Sequence, residues 1–142
     1  MRPKIILALV LCSYLLVGCS KEDEEKELNT FFEGIVINSN TDEPLSNAQI
    51  ELIGYPWVYG FYDPNADYFT RVFQVNPDGT FNYSVTTTEV KKFEIYLQIN
   101  NQRISNWCGD NHPTINRYCS LIEPGKDHIG LQIFGNPDNP QF

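Results

Sequence analysis

Apolar residues along most of this chain recur at every second position, the pattern of strands that bury one face. Gln49-Ile50-Glu51-Leu52-Ile53 alternates until Gly54, and Phe81-Asn82-Tyr83-Ser84-Val85 alternates again. The cleanest run is Phe93 to Ile99, which sets Phe93, Ile95, Leu97 and Ile99 on one face. Glu33-Gly34-Ile35-Val36-Ile37 is a β-branched run that stops at the turn formers Asn38 to Asp42. Arg71 to Val75 runs into Asn76-Pro77-Asp78-Gly79, where Pro77 fixes φ and Gly79 accepts the left-handed backbone of a tight hairpin. Arg103 to Trp107, after Asn100-Asn101, and His128 to Phe134 complete seven strands. No stretch of the domain shows an amphipathic helical period. Short alternating strands separated by turn signals predict an all-β domain, a seven-stranded antiparallel β-sandwich.

The first twenty residues follow a different pattern. Arg2 and Lys4 precede an apolar run from Ile5 to Val17, and Leu16-Val17-Gly18-Cys19 closes it. Thirteen residues (5 to 17) are too few to span a bilayer, which takes about 20. A basic start, a short apolar core and small closing residues read as a secretory signal. Leu16-Val17-Gly18-Cys19 also resembles the bacterial lipobox. That resemblance implies cleavage between Gly18 and Cys19, with a diacylglycerol thioether on the Cys19 sulfur. Together with a further acyl chain, such a group anchors a protein to a membrane, because each buried methylene contributes about 0.8 kcal/mol.

Beyond Cys19 the chain becomes almost wholly charged. Ser20-Lys21-Glu22-Asp23-Glu24-Glu25-Lys26-Glu27 holds five acidic and two basic side chains among eight residues. Such a run has no apolar surface to bury and predicts an extended tether, reaching about 33 Å from Ser20 to Asn29. It resembles the acidic export signal that follows the lipidated cysteine in surface lipoproteins of one Gram-negative phylum. The resemblance implies display on the outer face of the outer membrane; a plain solvated spacer on a periplasm-facing protein is the alternative. The expected organisation is a signal peptide over 1–18, a lipidated acidic tether over 19–30 and a β-sandwich over 31–142.

Removing 18 residues from 142 leaves 124, the length of one domain with an ordinary core. All 18 acidic residues follow the signal while Arg2 and Lys4 leave with it, so the mature charge is 8 minus 18, or −10. Lys91-Lys92 is the only adjacent basic pair. This balance argues against nucleic-acid partners, which are bound by neutralising phosphates.

Of four cysteines, Cys12 lies in the signal and Cys19 carries the expected lipid, leaving Cys108 and Cys119. An even pair in an exported protein predicts a disulfide across the turn-rich Gly109 to Pro113 stretch. Two free thiols, or half of a zinc site with His112 and His128, are the alternatives. No Cys-x-x-Cys spacing supports the zinc reading.

Gly34-Ile35-Val36-Ile37-Asn38, followed by Thr41-Asp42-Glu43-Pro44-Leu45-Ser46-Asn47-Ala48-Gln49-Ile50-Glu51-Leu52, resembles the opening of carboxypeptidase regulatory-like domains. Asn76-Pro77-Asp78-Gly79-Thr80-Phe81 is similar to that family's Asp-x-x-Gly-x-Phe hairpin. The fold implied is a transthyretin-like β-sandwich, and the role implied is a non-catalytic module. The match covers Phe32 to Val85. It departs at Asp42, where the family has Gly, and over the Tyr55 to Phe69 insertion. Pro44 is expected to stiffen the turn, and Leu45 and Ala48 to plug the core.

The insertion gathers seven aromatic residues, Tyr55, Trp57, Tyr59, Phe61, Tyr62, Tyr68 and Phe69, with Asp63, Asn65 and Asp67 among them. Flat rings stack on apolar sugar faces while carboxylates and amides take hydroxyls, so this segment is the candidate ligand-binding region. The competing reading is one more strand or a loop packed on the sandwich, and Trp107 and Tyr118 extend either. Asp63-Pro64-Asn65-Ala66-Asp67 has calcium-loop spacing, but Tyr68 stands where Gly is needed and Gln74 where a bidentate Glu is needed. A turn is expected there, and no cofactor or metal. No nucleophile elbow, phosphate loop or paired-acid motif occurs. The expected protein is a lipid-anchored envelope module, not an enzyme, that partners an envelope receptor or, alternatively, a glycan.

Overall fold

The computed structural model describes residues 26–57, 68–109 and 119–141. Its seven strands match the expected set in order: β1 (Leu28–Asn38), β2 (Gln49–Tyr55), β3 (Phe69–Gln74), β4 (Thr80–Thr87), β5 (Lys92–Ile99), β6 (Gln102–Cys108) and β7 (Asp127–Pro140). β1 begins at Leu28, ahead of the Phe31 expected as the domain's first residue. The signal peptide and Cys19 lie outside the described residues.

All seven strands belong to one sheet, in the order β3-β2-β5-β6-β7-β1-β4, curled until it is nearly closed into a barrel-like shape. Its inward face carries the alternating apolar residues. Phe32 and Val36 of β1, Ile50 and Leu52 of β2, Phe93, Ile95 and Leu97 of β5, and Leu131 and Ile133 of β7 are almost wholly buried. The Phe32 ring meets Phe93 edge-on at 5.8 Å across the interior.

The antiparallel expectation is corrected at one pair. β1 runs parallel to β7, with Phe31 opposite Asp127 and Asn38 opposite Gly135, so the sheet is mixed. The other five pairings are antiparallel. Tight turns force consecutive strands to reverse, whereas strands at the two ends of a chain are joined by no short connection and are free of that constraint. One extra β7 residue bulges between the His128 and Leu131 pairs, with Gly130 at φ +77°. Opposite the bulge, a β-carbon on Gly34 would run into the Leu131 carbonyl, so only glycine fits there.

Two turns form as the sequence predicts, and one of them joins strands that do not pair. Asn100 and Asn101 take φ +52° and +62°, the two-residue turn that links β5 to β6. The Asn76–Gly79 turn closes through Gly79 N–H to the Asn76 carbonyl (2.9 Å), with Gly79 at φ +81°. Beyond it β3 pairs with β2 and β4 with β1, because both inward faces turn to the core. There the Phe73 and Tyr83 rings stack at 3.7 Å. Leu45 and Ala48 are buried as expected, and a β-carbon on Gly79 would press on Pro44. Asp42 takes φ +58°, the left-handed backbone that short polar side chains tolerate and that Gly adopts freely.

Cys108 and Cys119 are disulfide-bonded, with Cα atoms 5.2 Å apart and both side chains buried. The bond holds residues 119–122 where β6 has left β5. The β5–β6 ladder spans only Leu97 to Ile99 on β5, and below it Phe93 exchanges hydrogen bonds with Ile122 while Ile95 N–H donates to the Cys119 carbonyl. His128 is a core residue, stacked on Phe32 and hydrogen-bonded to the Glu123 carbonyl at 2.9 Å.

Candidate functional site

Strand alternation that buries Phe93, Ile95 and Leu97 sends Lys92, Glu94 and Tyr96 to the outward face of β5. Register sets Tyr55 opposite Lys92 and Glu51 opposite Tyr96, while Arg103 lies across on β6 beside Gln98. These side chains interlock. The Lys92 ammonium lies 4.7 Å from the Tyr55 ring and donates to Glu94 Oε1 at 3.0 Å. Tyr96 donates its hydroxyl to Glu94 Oε2 at 2.9 Å. The Arg103 guanidinium covers the Tyr96 ring at 4.2 Å and donates to Glu51 Oε2 at 2.6 Å. Only 13% of the Glu51 side chain and 17% of that of Glu94 meets solvent, so the ladder is screened far less than a surface pair.

The ionisation of these groups follows from that packing. Burial raises the Tyr96 hydroxyl first, and the Glu94 hydrogen bond and charge add to it, taking it to about 12 despite Arg103. Burial and the Glu94 charge likewise push the Tyr55 hydroxyl up. For Glu51, burial alone would raise the carboxyl. Hydrogen bonds from Arg103 and Gln98, with the Arg103 charge, outweigh it and hold the group below its ordinary value. Both Glu94 oxygens are occupied and both phenols stay protonated, so the ladder's chemistry is cohesion.

The candidate ligand-binding region begins at the edge of this ladder. Tyr55, Trp57 and Tyr68 form one cluster, with ring centroids 6.1, 5.1 and 5.7 Å apart in tilted and edge-to-face contacts. Tyr55 and Trp57 are half-buried, and Lys92 covers the Tyr55 ring. Tyr59, Phe61, Tyr62, Asp63, Asn65 and Asp67 lie outside the described residues, as do His112 and Tyr118. Trp107 is half-buried and stacks instead on Phe134 at 5.8 Å, on the outward face of β6 and β7. Among the described residues no group of three or more His, Cys, Asp or Glu is arranged to hold a metal ion.

A second feature was not anticipated. At the end opposite the Asn76–Gly79 turn, β3 and β4 diverge and leave a cavity of about 380 Å³ in the open seam of the sheet. Gly54, Pro56, Phe69 and Val90 give it apolar wall, and Arg71, Thr86, Thr87, Thr88, Glu27 and Glu89 give it polar wall. Arg71 shares the parity of Phe69 and Phe73 on β3 but is exposed, and its guanidinium lies 4.9 Å from the Phe69 ring. It donates to the Thr70 carbonyl at 3.0 Å and, among the described residues, has no carboxylate partner. Thr87 continues the inward series Phe81, Tyr83, Val85 and is only 6% exposed, yet its hydroxyl has no hydrogen-bond partner. The signal for this cavity was present in the sequence as polar residues at apolar parity, Arg71 beside Phe73 and Thr87 beside Val85.

No family model, curated protein or solved structure matches this chain.

Proposed function

We propose that this chain is a lipid-anchored lipoprotein of a bacterial cell envelope, and that its β-domain is a non-catalytic structural or interaction module. The observation that carries export is the buried Cys108–Cys119 disulfide, a bond that persists in oxidising compartments and is rare in reducing ones. The lipobox ending at Cys19 and the acidic run after it agree with it, and point to the outer membrane and its exterior. The module reading is supported by the outward face, where Glu51, Lys92, Glu94, Tyr96 and Arg103 bind one another. Buried Leu45 and Ala48, and Pro44 seated against Gly79, support a carboxypeptidase regulatory-like sandwich with β3-β2-β5 as one layer and β6-β7-β1-β4 as the other.

Metabolic palmitate labelling tests the anchor: the chain takes label and its Cys19→Ala variant does not. Unlabelled wild-type chain overturns it. Pulldown from detergent-solubilised envelope tests the module, with recovery of one stoichiometric envelope protein expected and turnover of a substrate by the purified chain counting against it.

A second reading, an accessory lipoprotein that binds glycan through the 55–69 segment, is favoured by the Tyr55–Trp57–Tyr68 cluster. Affinity electrophoresis through polysaccharide gels tests it, with retardation expected and reduced by Trp57→Ala. Unretarded migration in every gel overturns it.

A further inference from the structure

We infer that the seam cavity between β3 and β4 is a binding site for one or two units of a neutral saccharide. The inference shares only the class of ligand with the glycan reading above, and assigns the sugar to residues outside the aromatic cluster. Size admits it: about 380 Å³ falls in the range of small-ligand sites, and the mouths of barrels are where such sites recur. Charge narrows the class. One guanidinium, Arg71, shares the lining with two carboxylates, Glu27 and Glu89, so an anionic ligand meets two like charges and a cationic one meets Arg71.

A sugar hydroxyl both donates and accepts, so a neutral saccharide serves both kinds of partner at once. Its hydroxyls accept from the Arg71 donors left free by the single bond to the Thr70 carbonyl, and donate to Glu27 and Glu89. The apolar face of the ring lies against Phe69, Pro56 and Val90. Leu28 pairs with Thr87, so the cavity opens at the end of the sheet where the chain enters from the acidic tether. From that position it can take the sugar of a free oligosaccharide or the head group of a glycolipid.

The test is titration calorimetry on the full chain, held in a detergent without a sugar head group. The probes are glucose, galactose, mannose, N-acetylglucosamine, maltose and cellobiose, with glycosylated and unglycosylated diacylglycerol vesicles to separate the two sources. At least one sugar is expected to bind, at least tenfold more weakly to Arg71→Gln and Glu89→Gln, and within twofold of wild type to Ile129→Ser, at an exposed β7 position outside both candidate sites; Trp57→Ala and Tyr68→Ala are titrated alongside. Arg71 and Glu89 are both exposed, so neither variant depends on refolding the core. Binding lost in Trp57→Ala and Tyr68→Ala but retained in the cavity variants overturns this inference and leaves the aromatic-platform reading standing. Binding of free glycine or acetate at Arg71 in preference to every sugar overturns it too, and no sugar binding at all overturns both.

Discussion

Thr87 and Tyr83 each carry a hydroxyl that the fold buries without a partner, a cost of about 1–3 kcal/mol apiece. Replacing Thr87 by the isosteric Val removes the orphan and leaves the shape. Thr87→Val is therefore expected to gain about 1 kcal/mol in the sugar-free chain, raising the melting temperature by about 4 °C in calorimetry. Tyr83 makes a pH-dependent counterpart. Burial pushes its hydroxyl far above the ordinary 10.0. The native state thus keeps a proton that the unfolded chain releases near pH 10, so stability is complete below that pH and falls above it. Between pH 9 and 11 the urea midpoint should drop less for Tyr83→Phe than for wild type. Tyr55 and Tyr96, both shifted upward, keep part of the slope.

At the scale of elements, the β2-β5-β6 face depends on ionised Glu51. Its carboxyl is held below the ordinary 4.5, so the contribution is complete above that pH and is lost as acidification passes through the lowered value. Denaturant midpoints measured from pH 6 down to 3 should fall more steeply for wild type than for Glu51→Gln, which starts lower because Arg103 loses its anion. The disulfide acts on a different edge. Closing a loop of about 12 residues contributes roughly 3 kcal/mol in the chain-entropy account, and it holds the 119–122 segment on β5. Opening it in the Cys108→Ala, Cys119→Ala pair should lower stability by about that amount. The Phe93 and Ile95 amides should then exchange with solvent sooner than those of Leu97 and Ile99.

How far the sequence reached differs by element. All seven strands were legible because burial of one face writes a period of two, as Phe93 to Ile99 shows. The partners of those strands were not, since nothing local to Phe31 or Asp127 records that they lie side by side. The Asn76–Gly79 turn was legible and its hairpin was not, because the Phe73–Tyr83 stack that turns both strands inward is a tertiary contact. Cys108 and Cys119 could be paired by elimination. The seam cavity went unread: Arg71 and Thr87 looked like ordinary polar strand residues until the sheet order left β3 and β4 unpaired with each other.

For the whole molecule, β7 is the member that no other strand replaces. It lies between β6 and β1, supplies Leu131, Ile133 and His128 to the interior, and comes last in order among the described strands. A chain ending at Lys126 should therefore be unfolded as a whole, with no cooperative transition in urea and no near-ultraviolet dichroism from its packed rings. A cooperative transition in that truncated chain would show instead that the remaining six strands close on their own.

The parallel joint between the first and last strands also settles how the domain bears load. β1 enters at the end of the sheet that holds Leu28, and β7 leaves at the far end beside Asn38. A tug between the two chain ends pulls these neighbours lengthwise past each other, so the rungs between them share the force together. Under tension the molecule behaves as a lap joint, and does not peel open like a zip.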